Sequence, residues 1–207
     1  MRHIEKKKPI PEFLSFIRNG PHSNWQDIHD EPSCPGLYRN CRDQILIEEQ
    51  DCMSGYTEMP LDSEGNIHID HFKKKGMFIT ETFNWNNFIV DSLESGYGAC
   101  YKDNHISNVS DYNKLINPVE EDPQYYFTYQ SNGNMVPKSG LTSSELEKAQ
   151  FTLATFNLNH VFLCQKRLGI MKLAEQYKDL LTKEEIVSAL AYCGFKSVVE
   201  SVSNHMD

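Results

Sequence analysis

The sequence has 207 residues, a formal net charge of −9 and a composition that is 39 % hydrophobic and 24 % charged, as is ordinary for a globular protein. No run of about 18 apolar residues occurs, so we expect no membrane-spanning helix. Residues 1–6 have no apolar stretch behind their charges, so we expect no signal peptide and a cytoplasmic protein.

The basic residues are too few for strong phosphate binding by this chain alone, because proteins normally neutralise phosphates with lysine and arginine. Lysines form two short runs, at residues 6–8 and 73–75. We expect the first run to be a solvated face. The acidic balance indicates that a partner supplies most of the contacts to an anionic substrate.

The cysteines give no sign of a closed zinc knuckle. All six are widely spaced, and no Cys-x-x-Cys pair occurs. Reduced, partly buried thiols are therefore expected. Participation of Cys34 and Cys41 in a zinc site is a weaker alternative.

The N-terminal region, residues 1–52, is expected to be helical. Pro11 suits the first turn of a helix over residues 11–19, and Asn19-Gly20 would end it. After a polar loop, apolar residues recur at helical spacing, which predicts a second helix over residues 37–50.

The central region, residues 53–140, changes to strand patterns. Residues 67–72 alternate with the period of a strand, and residues 87–91 are a plausible second strand. A short helix is expected near Lys102. The Asn132-Gly133 pair separates two β-rich runs, at 125–129 and 134–136, and predicts a hairpin.

The C-terminal region, residues 141–207, is predicted to be helical and to serve as a packing and docking surface. Thr142 and Glu145 are typical of the start of a helix, and further helices are expected over residues 170–180, 183–193 and 195–204. The chain as a whole is expected to be α+β, mostly helical around a small β-containing core.

Asp70 and His71 are the first candidates for chemistry. Neighbouring side chains of a regular strand face opposite ways, so they cannot form a side-by-side relay. At a strand end Asp70 could hold a metal ion while His71 activates water, since histidine has an ordinary pKa of about 6.5. A general base contributes ~10²–10⁴-fold, less than phosphodiester cleavage requires. A hard cation would supply much of the rest, and Asp70, Asp103 and Asn104 carry suitable oxygens.

Three segments together resemble the ββα-metal site of HNH endonucleases. They are residues 67–73 (IHIDHFK), 83–89 (FNWNNFI) and 100–104 (CYKDN). More narrowly, the chain resembles the HNH subunit, PtuB, of Septu-type and retron-associated anti-phage systems. That narrower resemblance rests on residues 2–6 (RHIEK), 48–50 (EEQ), 55–58 (GYTE) and 157–159 (NLN).

The resemblance implies a role for each matched position. Asp70 would be a metal ligand and His71 the general base. Asn87 would hold the loop that carries His71, with Asn86 as a close competitor. The second metal ligand would be Asn104, with Asp103 and His105 as alternatives, and the ion would be Mg²⁺ or Mn²⁺. The lysines expected to contact the phosphate backbone are Lys73, Lys74, Lys75 and Lys102.

The resemblance also implies a function and partners. The chain would be an HNH endonuclease subunit of an anti-phage complex, controlled by a PtuA-like ATPase. DNA is the favoured substrate, RNA including tRNA is an alternative, and a retron RNA or DNA element could be a further partner. A non-catalytic adaptor, which keeps the site only to bind metal, is the competing interpretation.

Overall fold

A computed structural model describes residues 1–22 and 24–203. The fold is α+β, about half helical, with two small antiparallel sheets of two strands each. Within the described part the α-helices are α1 (Pro11–Arg18), α2 (Leu37–Gln44), α3 (Gly98–His105), α4 (Pro123–Tyr126), α5 (Ser143–Thr155), α6 (Val161–Tyr177), α7 (Lys183–Leu190) and α8 (Lys196–Ser203). The strands are β1 (Ile67–His71), β2 (Phe88–Ser92), β3 (Phe127–Tyr129) and β4 (Met135–Pro137).

The first hairpin pairs β1 with β2, and both strands lie close to where the sequence predicted them. Their register places Asp70 opposite Ile89 and His71 opposite Phe88. Because side chains alternate along a strand, the hairpin has two faces. One contributes Ile69 and Val90 to an apolar cluster with α1 and α2, and the other contributes Ile89 to a separate cluster with α3 and α5.

Helix α3 is fixed to the hairpin by the buried carboxylate of Asp91. Its Oδ2 accepts the backbone N–H of Ala99 at 2.7 Å, and its Oδ1 accepts the hydroxyl of Ser54 at 2.5 Å. Gly98 stands beside this carboxylate with φ +73°, and a Cβ there would lie 2.3 Å from Oδ2. Glycine at this position therefore lets α3 start directly against β2 and completes a ββα unit.

The N-terminal helices cover the other face of the hairpin. Helix α2 continues as a π-helical turn, Ile45–Glu49, so the helix predicted over residues 37–50 is confirmed with a widened last turn. The chain before α1 is also tied down, because the Lys6 ammonium donates to the buried Glu49 and to the carbonyl oxygen of Phe88. The expectation that residues 6–8 form a solvated face is thus wrong for Lys6, whose side chain is 8 % exposed.

The predicted second hairpin is present, with Thr128 opposite Val136. Its first strand starts at Phe127 because the preceding residues, Pro123–Tyr126, form the short helix α4, which Asp122 caps. Helix α5 starts where predicted, with Thr142 and Glu145 forming a reciprocal capping box. Helix α6 starts at Val161, well before residue 170, where the sequence predicted a helix to begin. None of the described helices is long and apolar enough to cross a membrane.

Candidate functional site

Asp70 lies under α3, where it forms a buried ion pair with Lys102. The Lys102 ammonium donates to Oδ2 of Asp70 at 2.9 Å and to Oδ1 at 3.3 Å, and the Tyr56 hydroxyl donates to Oδ2. The side chains of Lys102 and Asp70 are 0 % and 4 % exposed. The same ammonium donates to the carbonyl oxygens of His71 and Phe72, at 2.9 and 3.2 Å. Lys102 therefore joins the end of β1 to α3.

The prediction that Lys102 contacts a substrate phosphate is not what the structure supports. Its stem runs through the core and its ammonium is surrounded by protein oxygens, so it is not available at the surface. A lysine that is buried to this extent needs carboxylate partners, because an unpaired buried charge is strongly unfavourable.

Both members of the ion pair are charged at neutral pH. Burial by itself would raise the pKa of Asp70, but the charge of Lys102 and the hydrogen bond from Tyr56 outweigh it and hold that pKa below its ordinary value. Burial likewise opposes the charged form of Lys102, yet Asp70 and Asp103 keep its pKa above the ordinary value. The pKa of the Tyr56 hydroxyl is well above its usual value, first through burial and then through Asp70.

Asp103 shares this cation, whereas Asn104 and His105 do not. Oδ1 of Asp103 lies 3.0 Å from the Lys102 ammonium, and its pKa is raised by burial and by the nearby Asp70, against the effect of Lys102. Asn104 is exposed, and no hydrogen bond joins it to Asp70 in the described part of the chain. His105 is exposed and stacks on Tyr101. The structure thus brings the alternative candidate, Asp103, and not Asn104, to Asp70.

The residues present do not fit the divalent ion that the resemblance implies. The oxygens of Asp70 already accept hydrogen bonds from an ammonium and a phenol. No group of three His, Cys, Asp or Glu side chains that could hold a metal ion occurs in residues 1–22 and 24–203. A divalent ion roughly 4 Å from an ammonium would be repelled by about 8 kcal/mol at an effective dielectric constant of about 20.

His71 lies on the opposite face of the hairpin, where it is 6 % exposed. Its Nε2 lies 2.9 Å from the carbonyl oxygen of Thr82, a partner that requires the proton on Nε2 and leaves the lone pair on Nδ1. The rings of Trp25 and Phe88 meet the imidazole edge to face, at 4.4 and 5.2 Å between centroids.

The imidazole of His71 is neutral at physiological pH. Burial lowers its pKa to about 4, with the positive charges of Lys75 and Lys102 contributing in the same direction. The hydrogen bond to Thr82 and the charge of Asp70 oppose this shift. An unprotonated imidazole can accept a proton, but a pKa of about 4 makes it a weaker base than one whose pKa lies near neutral pH.

Asn87 holds the loop that follows His71. Its Oδ1 accepts the backbone N–H of Lys73 at 2.7 Å, and its Nδ2 donates to the carbonyl oxygens of Lys73 and Glu81, at 3.0 and 3.1 Å. Asn87 is 4 % exposed, whereas its competitor Asn86 is exposed. The position that ties this loop together is therefore Asn87, and its contribution to catalysis stays a prediction.

The lysines of residues 73–75 differ in their surroundings. Lys74 donates its ammonium to the carbonyl oxygen of Asp103 at 2.9 Å. Lys75 is exposed, and its ammonium lies over the ring of Trp25, 5.7 Å from the centroid. Lys73 is half-buried. Lys75 is thus the lysine of this run that is both exposed and close to the ring packed on His71.

Sequence reasoning missed three residues that shape this region. Trp25 lies on a short 3₁₀ helix inside a segment interpreted as loop, and the signal for that helix was present, since Asn24 and Asp27 form a capping box around it. Tyr56 and Thr82 gave no such signal, because each acts through a partner more than ten residues away in sequence.

No protein-family model matches the chain, and no curated protein matches it.

Proposed function

We propose that this chain is an HNH-type nuclease subunit that hydrolyses phosphodiester bonds of nucleic acid, with His71 as the general base. The observation that carries the proposal is the state of His71, whose imidazole is neutral and oriented by the carbonyl oxygen of Thr82. The hydrogen bond to Thr82 leaves Nδ1 as the ring nitrogen that can accept a proton, and the exposed Lys75 lies over the Trp25 ring that packs on this imidazole.

In this proposal Nδ1 of His71 takes a proton from the water whose oxygen attacks the phosphorus. The bond from phosphorus to the leaving sugar oxygen breaks, and that oxygen is protonated by solvent water. The exposed ammonium of Lys75 attracts the phosphate to the same end of the hairpin, and Asn87 keeps the loop between them in place. A positioned base accelerates the reaction by ~10²–10⁴-fold, so most of the rate acceleration must come from other groups in the complex. The net charge of −9 supports a partner that holds the nucleic acid, and we propose a cytoplasmic complex with a PtuA-like ATPase.

A second candidate, a non-catalytic adaptor subunit of the same kind of complex, is favoured by the ion pair between Asp70 and Lys102. In an adaptor the ββα unit needs only to be held together, and the buried Lys102 joins its hairpin to its helix without any bound ion. His71 would then be a packed core residue beneath Trp25.

Cleavage assays on DNA and on total RNA separate the two candidates. Wild type, His71→Ala and the control His3→Ala, which changes an exposed histidine near the start of the sequence, are compared with and without the co-expressed ATPase, in Mg²⁺, in Mn²⁺ and in chelator. The nuclease proposal expects wild type and His3→Ala to cleave equally and His71→Ala to lose at least ~10²-fold. Equal cleavage by a folded His71→Ala protein would contradict this mechanism, and an intact complex without cleavage under any condition would favour the adaptor.

A further inference from the structure

We propose that Lys102 supplies the resident cation of the ββα unit, so that Asp70 and Asp103 close around its ammonium and this chain binds no divalent ion there. This property of the ββα unit is independent of the proposed nuclease function. It assigns the buried ammonium the place between hairpin and helix at which the resemblance implies a metal ion.

A set of oxygens surrounds the Lys102 ammonium. Two carboxylates and two backbone carbonyl groups surround it, all of them groups that a hard cation selects. The five distances to the ammonium nitrogen are 2.9 and 3.3 Å for the carboxylate oxygens of Asp70, 3.0 Å for Oδ1 of Asp103, 2.9 Å for the carbonyl oxygen of His71 and 3.2 Å for that of Phe72.

This cage of five oxygens is too wide for a divalent metal ion. Mg²⁺ requires oxygens at about 2.0–2.1 Å and Ca²⁺ at about 2.3–2.6 Å. Four of the five oxygens lie 2.9–3.2 Å from the ammonium nitrogen, within the usual range for N–H···O contacts, and the fifth lies at 3.3 Å. The cage is therefore built for an ammonium, and a metal ion would have to expel Lys102 and draw the oxygens inward.

The cation in this cage is part of the chain. Lys102 is fully buried on α3, and the start of that helix is fixed to β2 through Ala99 and Asp91. Moving the ammonium out would therefore mean displacing the helix. Such a cation cannot be removed by a chelator, so the ββα unit keeps its fold at any concentration of free metal.

The inference is tested with Mn²⁺, measured by electron paramagnetic resonance for binding and by thermal unfolding for stabilisation. Wild type is expected to bind no Mn²⁺ saturably and to unfold at the same temperature with Mn²⁺ or chelator. Lys102→Ala vacates the cage, so its midpoint should fall and millimolar Mn²⁺ should restore part of the loss. Asp70→Asn in the same background should abolish that restoration.

Lys74→Ala is the matched control, because Lys74 also donates to Asp103 but only to its backbone carbonyl oxygen. It should lose less stability than Lys102→Ala and gain no Mn²⁺ binding. Saturable Mn²⁺ binding by wild type that Asp70→Asn removes would overturn the proposal, and so would Lys102→Ala that is as stable as wild type. The wild-type binding measurement decides the question even if Lys102→Ala does not fold. Since no readout is nuclease activity, failure of this inference is distinguishable from failure of the proposed function.

Discussion

Asp70 and His71 are neighbours in sequence, yet their side chains lie on opposite faces of β1. Asp70 pairs with Lys102 beneath α3, whereas His71 lies against the ring of Trp25. The backbone of the strand separates the two groups, although the carbonyl oxygen of His71 itself accepts a hydrogen bond from Lys102. The ion pair therefore affects His71 in two ways. Lys102 donates a hydrogen bond to its carbonyl oxygen, and the charges of Asp70 and Lys102 shift the pKa of its imidazole.

The ion pair between Asp70 and Lys102 should be strongly coupled. Asp70→Asn leaves the buried ammonium with much less compensation, and breaking a buried pair typically costs about 3–5 kcal/mol. Lys102→Met should be similarly destabilising, and the double variant should cost less than the sum by at least about 1 kcal/mol. Urea unfolding of the two single variants and the double variant measures this coupling.

An exposed ion pair provides the control for that cycle. Lys7 and Glu5 lie 3.2 Å apart with exposed side chains, and such pairs contribute about 0–1 kcal/mol. Their double-mutant cycle should show little coupling. Strictly additive effects at Asp70 and Lys102 would mean that the buried pair does not hold hairpin and helix together.

The neutral state of His71 should make the folded protein sensitive to acid. Its pKa is about 4 in the folded chain, against an ordinary value of 6.5, so the unfolded chain binds more protons between these values. The contribution of His71 to the free energy of unfolding is fully present above about pH 6.5. It decreases as the pH falls towards 4, by about 3 kcal/mol in total.

His71→Gln should remove this part of the pH dependence, because glutamine does not titrate and its amide can still donate to Thr82. Urea unfolding between pH 4 and 7 compares the two proteins, and NMR titration reads the imidazole directly. A His71 ring that becomes protonated between pH 6 and 7 in the folded protein would disprove the shift. Any activity that needs this base should likewise show no ionisation of His71 above about pH 5.

Asn87 and Asn86 are a natural matched pair for the loop after β1. Asn87→Ala removes three hydrogen bonds and should cost about 2–3 kcal/mol, at about 1 kcal/mol for each bond. Asn86→Ala changes an exposed side chain and should stay within about 0.5 kcal/mol. Urea unfolding gives both values, and hydrogen exchange at the amide of Lys73 should accelerate in Asn87→Ala alone. Equal effects of the two substitutions would count against Asn87 as the residue that holds this loop.

The features of this structure that depend on residues close together in the chain could be predicted from the sequence. Strand periodicity located β1 and β2, and the Thr142–Glu145 capping box located the start of α5, because these signals lie within a few residues. The position of Lys102 could not be obtained in this way. Its partner, Asp70, is 32 residues distant in the sequence. The sequence pattern around a lysine does not show whether it is buried, because the burial of Lys102 depends on how the helix packs on the hairpin.

The same limit applies to Glu49, which lies in a polar run yet is the buried anchor of the N-terminal segment. Its oxygens accept the ammonium of Lys6 at 2.5 Å, the backbone N–H of Lys7 at 3.0 Å and the indole N–H of Trp85 at 2.9 Å. Burial lowers the pKa of Lys6, and Glu49 opposes this shift. Glu49 is thereby the carboxylate partner of the buried Lys6 amino group beside β2.

Glu49→Ala should therefore destabilise the protein by about 3–5 kcal/mol, because it leaves the buried Lys6 charge and the Trp85 donor without their partner. The neighbouring Glu48→Ala changes an exposed carboxylate and should stay within about 0.5 kcal/mol. Urea unfolding followed by tryptophan fluorescence measures both, and the native emission should change in Glu49→Ala because Trp85 loses its hydrogen bond. If Glu49→Ala were as stable as Glu48→Ala, residues 1–10 would not be anchored to the hairpin through this carboxylate, and Lys6 would be free to face solvent.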